Sequence, residues 1–216
     1  RGSKKIFVPG FLEKQDVPYE VRNGLAIAYG DIILGPEDTF AEDLQSPKVP
    51  YTVQKALRKG SRGAVISRPD MLWPEAIIPY KIGDNVLTPP DVIQAIKKIR
   101  AAAEYINDNT VLKMVELKTG EYADNYVEFV WADEEEFCAS SLGMQYGRQT
   151  IVCNYMRWDI EFGTVVHEVL HAAGFFHTMA DPRSKDHIKL DIVDTPSCKA
   201  QFRTVEQSMK AYCNAR

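Results

Sequence analysis

Apolar positions along the chain follow two different rhythms. Val92, Ile93, Ile96, Ile99, Ala103 and Ile106 recur at three- and four-residue intervals, which predicts an amphipathic helix to about Asp108 with one face in a core. Thr88-Pro89-Pro90-Asp91 ahead of it offers capping side chains and prolines suited to a first turn. Gly163-Thr164 opens a second helix through Val165, Val166, Val169, Leu170 and Ala173, and Gly174 suits its left-handed end. A last amphipathic helix is expected over about 199–212. Runs rich in β-branched and aromatic residues at 111–117, 126–131 and 149–155 predict neighbouring strands. Residues 73–82 read as a further strand, whose prolines predict an edge position.

Residues 1–65 lack either rhythm. Val8-Pro9-Gly10, Gly30-Asp31, Gly35-Pro36-Glu37-Asp38 and Ser46-Pro47 are turn signals, and helices are expected only around 37–45 and 50–58. This stretch is expected to be irregular, to own no core and to lie against something else.

Composition narrows the class. With 45% hydrophobic and 26% charged residues, 216 residues can bury a real core. The net charge of -4, with Lys and Arg scattered, offers no basic stripe for a phosphate backbone, so nucleic acid is excluded as the expected partner. No apolar run approaches the roughly 20 residues of a membrane-spanning helix. The chain opens on Arg1-Gly2-Ser3 with no charged-then-apolar leader, which predicts that any export signal has been removed or was never part of this sequence. Four cysteines, Cys138, Cys153, Cys198 and Cys213, permit two disulfides or buried thiols.

Three of the four histidines fall in His167-Glu168-Val169-Leu170-His171-Ala172-Ala173-Gly174-Phe175-Phe176-His177. Residues four apart share a helix face, so His167 and His171 can aim ring nitrogens at one metal ion. Glu168 sits one residue out of line, where it reaches a water at the metal rather than the metal. Gly174 lets the backbone turn and bring His177 round as a third ligand. Three neutral protein ligands leave one position open, as a catalytic zinc site requires. The expected chemistry is peptide hydrolysis without a covalent intermediate, with Glu168 as general base. A bare His-Glu-x-x-His arises by chance, but Gly174 and His177 at fixed spacing make coincidence negligible. His187 lies outside the motif and reads as a surface residue.

The eleven-residue motif marks a metzincin, and its surroundings resemble the astacin family. Trp73-Pro74 with Ile78-Pro79-Tyr80, Tyr126-Val127-Glu128-Phe129, Gly147-Arg148-Gln149-Thr150-Ile151 and Phe162-Gly163-Thr164-Val165-Val166 match in order. The resemblance implies the α+β class: a zincin catalytic domain with a twisted mixed sheet, an active-site helix and a backing helix, over residues 66–216. It implies one catalytic Zn2+ on His167, His171 and His177. Residues 1–65 become an inhibitory pro-segment in which Tyr29-Gly30-Asp31-Ile32 resembles the family's Phe-x-Gly-Asp, with Ala28 in place of Phe and Asp31 as a switch ligand. The family disulfide implies pairing of Cys138 with Cys153. Cys198 and Cys213 bracket a helix that would hold them about 20 Å apart, and pair only if it is shorter.

Two departures stand out. Thr178 replaces the Glu that follows the third His in the family, and no good match to the Ser-x-Met-His-Tyr turn follows His177, so the chain is expected to stop short of that turn. Protein or peptide substrates, an activating protease cutting between about 59 and 71 at Arg58-Lys59-Gly60-Ser61-Arg62-Gly63, and a secreted or extracytoplasmic location complete the expectation. The alternative is an inactive zinc-binding or scaffold protein built on the same fold.

Overall fold

The computed structural model describes residues 2–6, 15–37, 69–83, 92–131, 138–153 and 162–177. The helices expected around 37–45, 50–58 and 199–212, the stretch Arg58 to Gly63, Thr178, His187, Cys198 and Cys213 lie outside these. The chain divides into two compact units, Arg1–Pro69 with Phe175–Arg216, and Asp70–Gly174.

In the first unit the expectation of an irregular start is corrected. Strands β1 (Gly2–Ile6), β2 (Gln15–Arg22), β3 (Leu25–Ala28) and β4 (Ile32–Pro36) form an antiparallel meander. The turn signals are corners of this sheet rather than interruptions. Asn23 and Gly24, both at positive φ (50° and 72°), make the two-residue turn between β2 and β3, a conformation that Asn-Gly adopts most readily. Val17, Ala26, Ile27, Ala28, Ile32 and Ile33 are buried.

In the second unit β5 (Ile77–Ile82), β6 (Lys113–Glu116), β7 (Tyr126–Trp131), β8 (Cys138–Ser141) and β9 (Arg148–Cys153) form a mixed sheet in the order β8-β9-β7-β5-β6. Only β8 runs antiparallel to its neighbour. Two expectations fail here. β5 lies between β6 and β7 rather than at an edge, and β6 and β7 are therefore not adjacent. Pro79 is tolerated inside because of register. Gly83 donates its N–H to the Phe129 carbonyl, so Lys81 and Pro79, alternating with it, face β7. Pairing to β7 begins only at Tyr80, so the missing proline N–H falls beyond the end of that ladder.

Helix α1 (Val92–Asn109) and helix α2 (Phe162–Ala172) share one core with the sheet. Ala95, Ile99, Ala102, Ala103 and Ile106 of α1, Val165, Val169 and Ala172 of α2, and Ile78, Val127, Phe129 and Ile151 of the strands belong to it. Each large aliphatic or aromatic side chain fully buried there contributes about 1.5–3 kcal/mol. α1 ends without glycine. Thr110 donates both its N–H and its hydroxyl to the Ile106 carbonyl, and Asn107 clamps Met114 by accepting its N–H (2.7 Å) and donating to its carbonyl (3.1 Å). Arg100 forks onto Glu116 at 2.8 and 2.7 Å, tying α1 to β6, and the Tyr80 hydroxyl donates to the same carboxylate at 3.2 Å. The bonds from Arg100 hold the Glu116 carboxyl below its ordinary range, while burial and then the Glu116 charge push the Tyr80 hydroxyl up.

Candidate active site

α2 carries most of the motif. Its apolar positions Val165, Val169 and Ala172 fall on the core side, and this fixes the azimuth of everything between them. His167 is exposed and His171 buried, with Glu168 buried at 2% exposure. The two imidazoles stand edge to face at 88°, centroids 4.5 Å apart, with Nε2 facing Nε2 at 2.9 Å.

The end of α2 is held from outside. Gly174 at φ 102° turns the chain and donates its N–H to the His171 carbonyl at 2.8 Å, as its position after the last periodic residue predicts. The same carbonyl accepts the Gly143 N–H at 2.8 Å. The Trp73 indole donates to the Ala172 carbonyl at 2.7 Å, and that bond is buried. Sequence reasoning assigned no role to these donors, and no local signal could have. They arrive from residues 28 and 99 positions away.

His177 and Asp31 meet in the other unit. Asp31 ends a three-residue turn, Tyr29-Gly30-Asp31, closed by the pairing of Ala28 with Ile32. Tyr29 at φ 56° and Gly30 at φ 97° make the bend. A non-glycine residue there is uncommon. The Tyr29 ring packs edge to face on Phe176, centroids 4.8 Å apart, beside His177. The Asp31 Oδ2 lies 3.1 Å from Nε2 of His177, whose ring is buried.

These donors fit zinc. Imidazole nitrogens and a carboxylate oxygen are its ordinary ligands, and two atoms bound tetrahedrally at 2.0–2.1 Å sit about 3.3 Å apart. Both the 2.9 Å and the 3.1 Å pairs are close to that separation. Cys138 and Cys153, opposite each other on β8 and β9, form a disulfide. Arg148, at the start of β9, pairs with Glu128 of β7.

Comparison with known proteins settles the family. Residues 65–215 match the family model of the astacin peptidases. The chain belongs to the astacin family. Astacins are zinc metalloendopeptidases, so the family cofactor is zinc. The chain is 31% identical over 127 residues to bone morphogenetic protein 1 of Xenopus laevis, covering 59% of this chain and 16% of that protein. It is 28% identical over 112 residues to zinc metalloproteinase nas-7 of Caenorhabditis elegans, covering 52% and 26%. The solved structure of high choriolytic enzyme 1, a hatching enzyme zinc-protease from Oryzias latipes, is 21% identical, covers 62% of this chain and 64% of that one, and has a TM-score of 0.48. The match therefore spans about a quarter or less of the first two relatives. Among the described residues no helix is long and apolar enough to cross a membrane.

Proposed function

We propose that the chain is a zinc endopeptidase in latent form, with residues 1–65 as the inhibitory segment and 66–216 as the catalytic domain. The observation that carries this is the pair of Nε2 atoms of His167 and His171, 2.9 Å apart on one helix, with the buried Glu168 beside them. His177 is the third ligand, supported by its place in the motif just past the turn at Gly174. Zinc, when bound, polarises the scissile carbonyl and makes a water easier to deprotonate. The Glu168 carboxylate takes the proton of the attacking water and returns it to the leaving nitrogen.

Asp31 is the inhibitory ligand. Its contact with His177 supports the reading, because a carboxylate oxygen at that distance from a ligand nitrogen is placed to share an ion with it. An oxygen there takes the position a substrate water needs. Removal of the segment by a protease cutting between about 59 and 71 opens that position. Secretion is supported by the Cys138–Cys153 disulfide, which persists in oxidising compartments.

The test sets the intact chain beside chain trimmed by trypsin and beside Asp31→Ala, measuring bound zinc and cleavage of a mixed peptide library. One zinc per chain is expected throughout, with the intact chain silent, the trimmed chain active and Asp31→Ala leaky. An Asp31→Ala chain as silent as its parent, when the trimmed chain cleaves, refutes the switch. Zinc without cleavage in the trimmed chain points instead to an inert zinc-binding scaffold.

A further inference from the structure

Gln149 lies on β9, outside the metal motif, yet it is buried at 4% exposure and both ends of its amide are used. Its Oε1 accepts the Gln145 N–H at 2.7 Å, and its Nε2 donates to the Gly143 carbonyl at 2.9 Å. The amide orientation follows from these partners, since the flipped form would set donor against donor and oxygen against oxygen. Gln149 thus behaves as a piece of backbone, bracing the turn that follows β8. The turn is braced again by Gln145, which donates to the Leu142 carbonyl at 3.0 Å, and by the N–H of the buried Met144, which donates to Met71 at 2.7 Å.

What the braced turn presents is the Gly143 N–H, which donates at 2.8 Å to the carbonyl of His171. A helix leaves its last carbonyls without partners inside the helix, and here the one belonging to the second metal-ligand position takes the Gly174 N–H at the helix end and, as a second donor from outside, the Gly143 N–H. Gly143 has φ 74°, a conformation that β-carbon-bearing residues rarely adopt and that glycine takes without strain.

We infer that Gln149 is a positioning residue for the metal site: through Gly143 it fixes the last turn of α2 and hence the direction of the His171 ring. This rests on the zinc reading above. Asn107 supplies a matched control, because it grips both backbone groups of Met114 in the same unit with the same chemistry, and belongs to none of the machinery described.

Cobalt(II) is loaded into the full chain as wild type, Gln149→Met, Gln149→Glu and Asn107→Leu. Its visible bands and its transfer rate to a chelator are read well below the unfolding temperature. Gln149→Met removes both bonds, whereas Gln149→Glu keeps the acceptor for Gln145 and turns an oxygen toward Gly143. Both Gln149 variants are expected to shift the bands and release cobalt about tenfold faster, in line with the loss of an outer partner of a metal ligand. Asn107→Leu is expected to lower the unfolding temperature and leave bands and release unchanged. Unchanged bands and release in either folded Gln149 variant overturn the inference, and so does an equal change in Asn107→Leu. A wild-type chain that takes up no cobalt overturns the metal reading, and this inference with it.

Discussion

The indole of Trp73 offers a test of how the helix that carries the histidine motif is terminated. Its N–H donates at 2.7 Å to the carbonyl of Ala172, and the residue is 6% exposed, so water cannot readily replace it. Replacing Trp73 by its benzothiophene analogue exchanges the N–H for sulfur and keeps nearly the same outline. A buried carbonyl deprived of its donor costs about 1–3 kcal/mol. In a chain of this length each kcal/mol lowers the melting temperature by about 2–4 °C. The expected loss is therefore roughly 5 °C, read by far-UV circular dichroism, with the same free energy recovered from urea unfolding. Amide exchange at Ala173 and Gly174, whose N–H groups donate within the same helix end, should quicken in parallel. Trp73→Phe should cost more, because it also leaves a void in the core to which Trp73 belongs. An analogue within about 0.3 kcal/mol of the parent, with exchange unchanged, would show that the bond does not hold the helix end.

Three further outcomes are expected. Glu168→Gln, measured on trimmed active chain, should retain zinc while peptide hydrolysis falls at least ~100-fold, since the shape stays and the base goes; equal turnover would end the mechanism. Glu116 has a folded-state pKa lowered by Arg100, so its contribution is present above the unfolded value and lost as pH falls through the lower folded one. Glu116→Gln should thus cost about 1 kcal/mol at neutral pH, an upper figure for a partly exposed pair, and the gap to wild type in urea unfolding should shrink below about pH 4. Replacing Cys138 and Cys153 together by Ala releases a cross-link of sequence separation 15 and should lower stability by about 3 kcal/mol in urea unfolding.

What could be read from the sequence follows from how far each determinant reaches along the chain. α1 and α2 were legible because their apolar positions repeat at helical spacing within one window. The donors of His167 and His171 were legible because an interval of four puts them on one face. β8 was not, because Cys138-Ala-Ser-Ser lacks strand preference and is made a strand by pairing to β9. β2 and β3 were missed although Asn23-Gly24 announces a hairpin, since the flanking strands contain Pro18 and alanines rather than a clean alternation. The interior position of β5 depends on where β7 begins, which Pro79 cannot indicate. Gln149 and Trp73 act on carbonyls supplied by distant elements, and nothing in their neighbours shows it.

The tight turn that carries Asp31 also bears on timing. Its strands β2, β3 and β4 pair with immediate neighbours in the sequence, and such hairpins close in about 1–10 μs. The parallel strands β5, β6, β7 and β9 must instead wait for segments far apart to be joined, which is slow. During synthesis at about 5–20 residues per second, His177 follows Pro36 by roughly ten seconds. The turn that carries Asp31 is thus complete in sequence long before the histidines of the motif have been made. Under the proposed latent form, this order has the carboxylate waiting for the histidines rather than the histidines waiting for it.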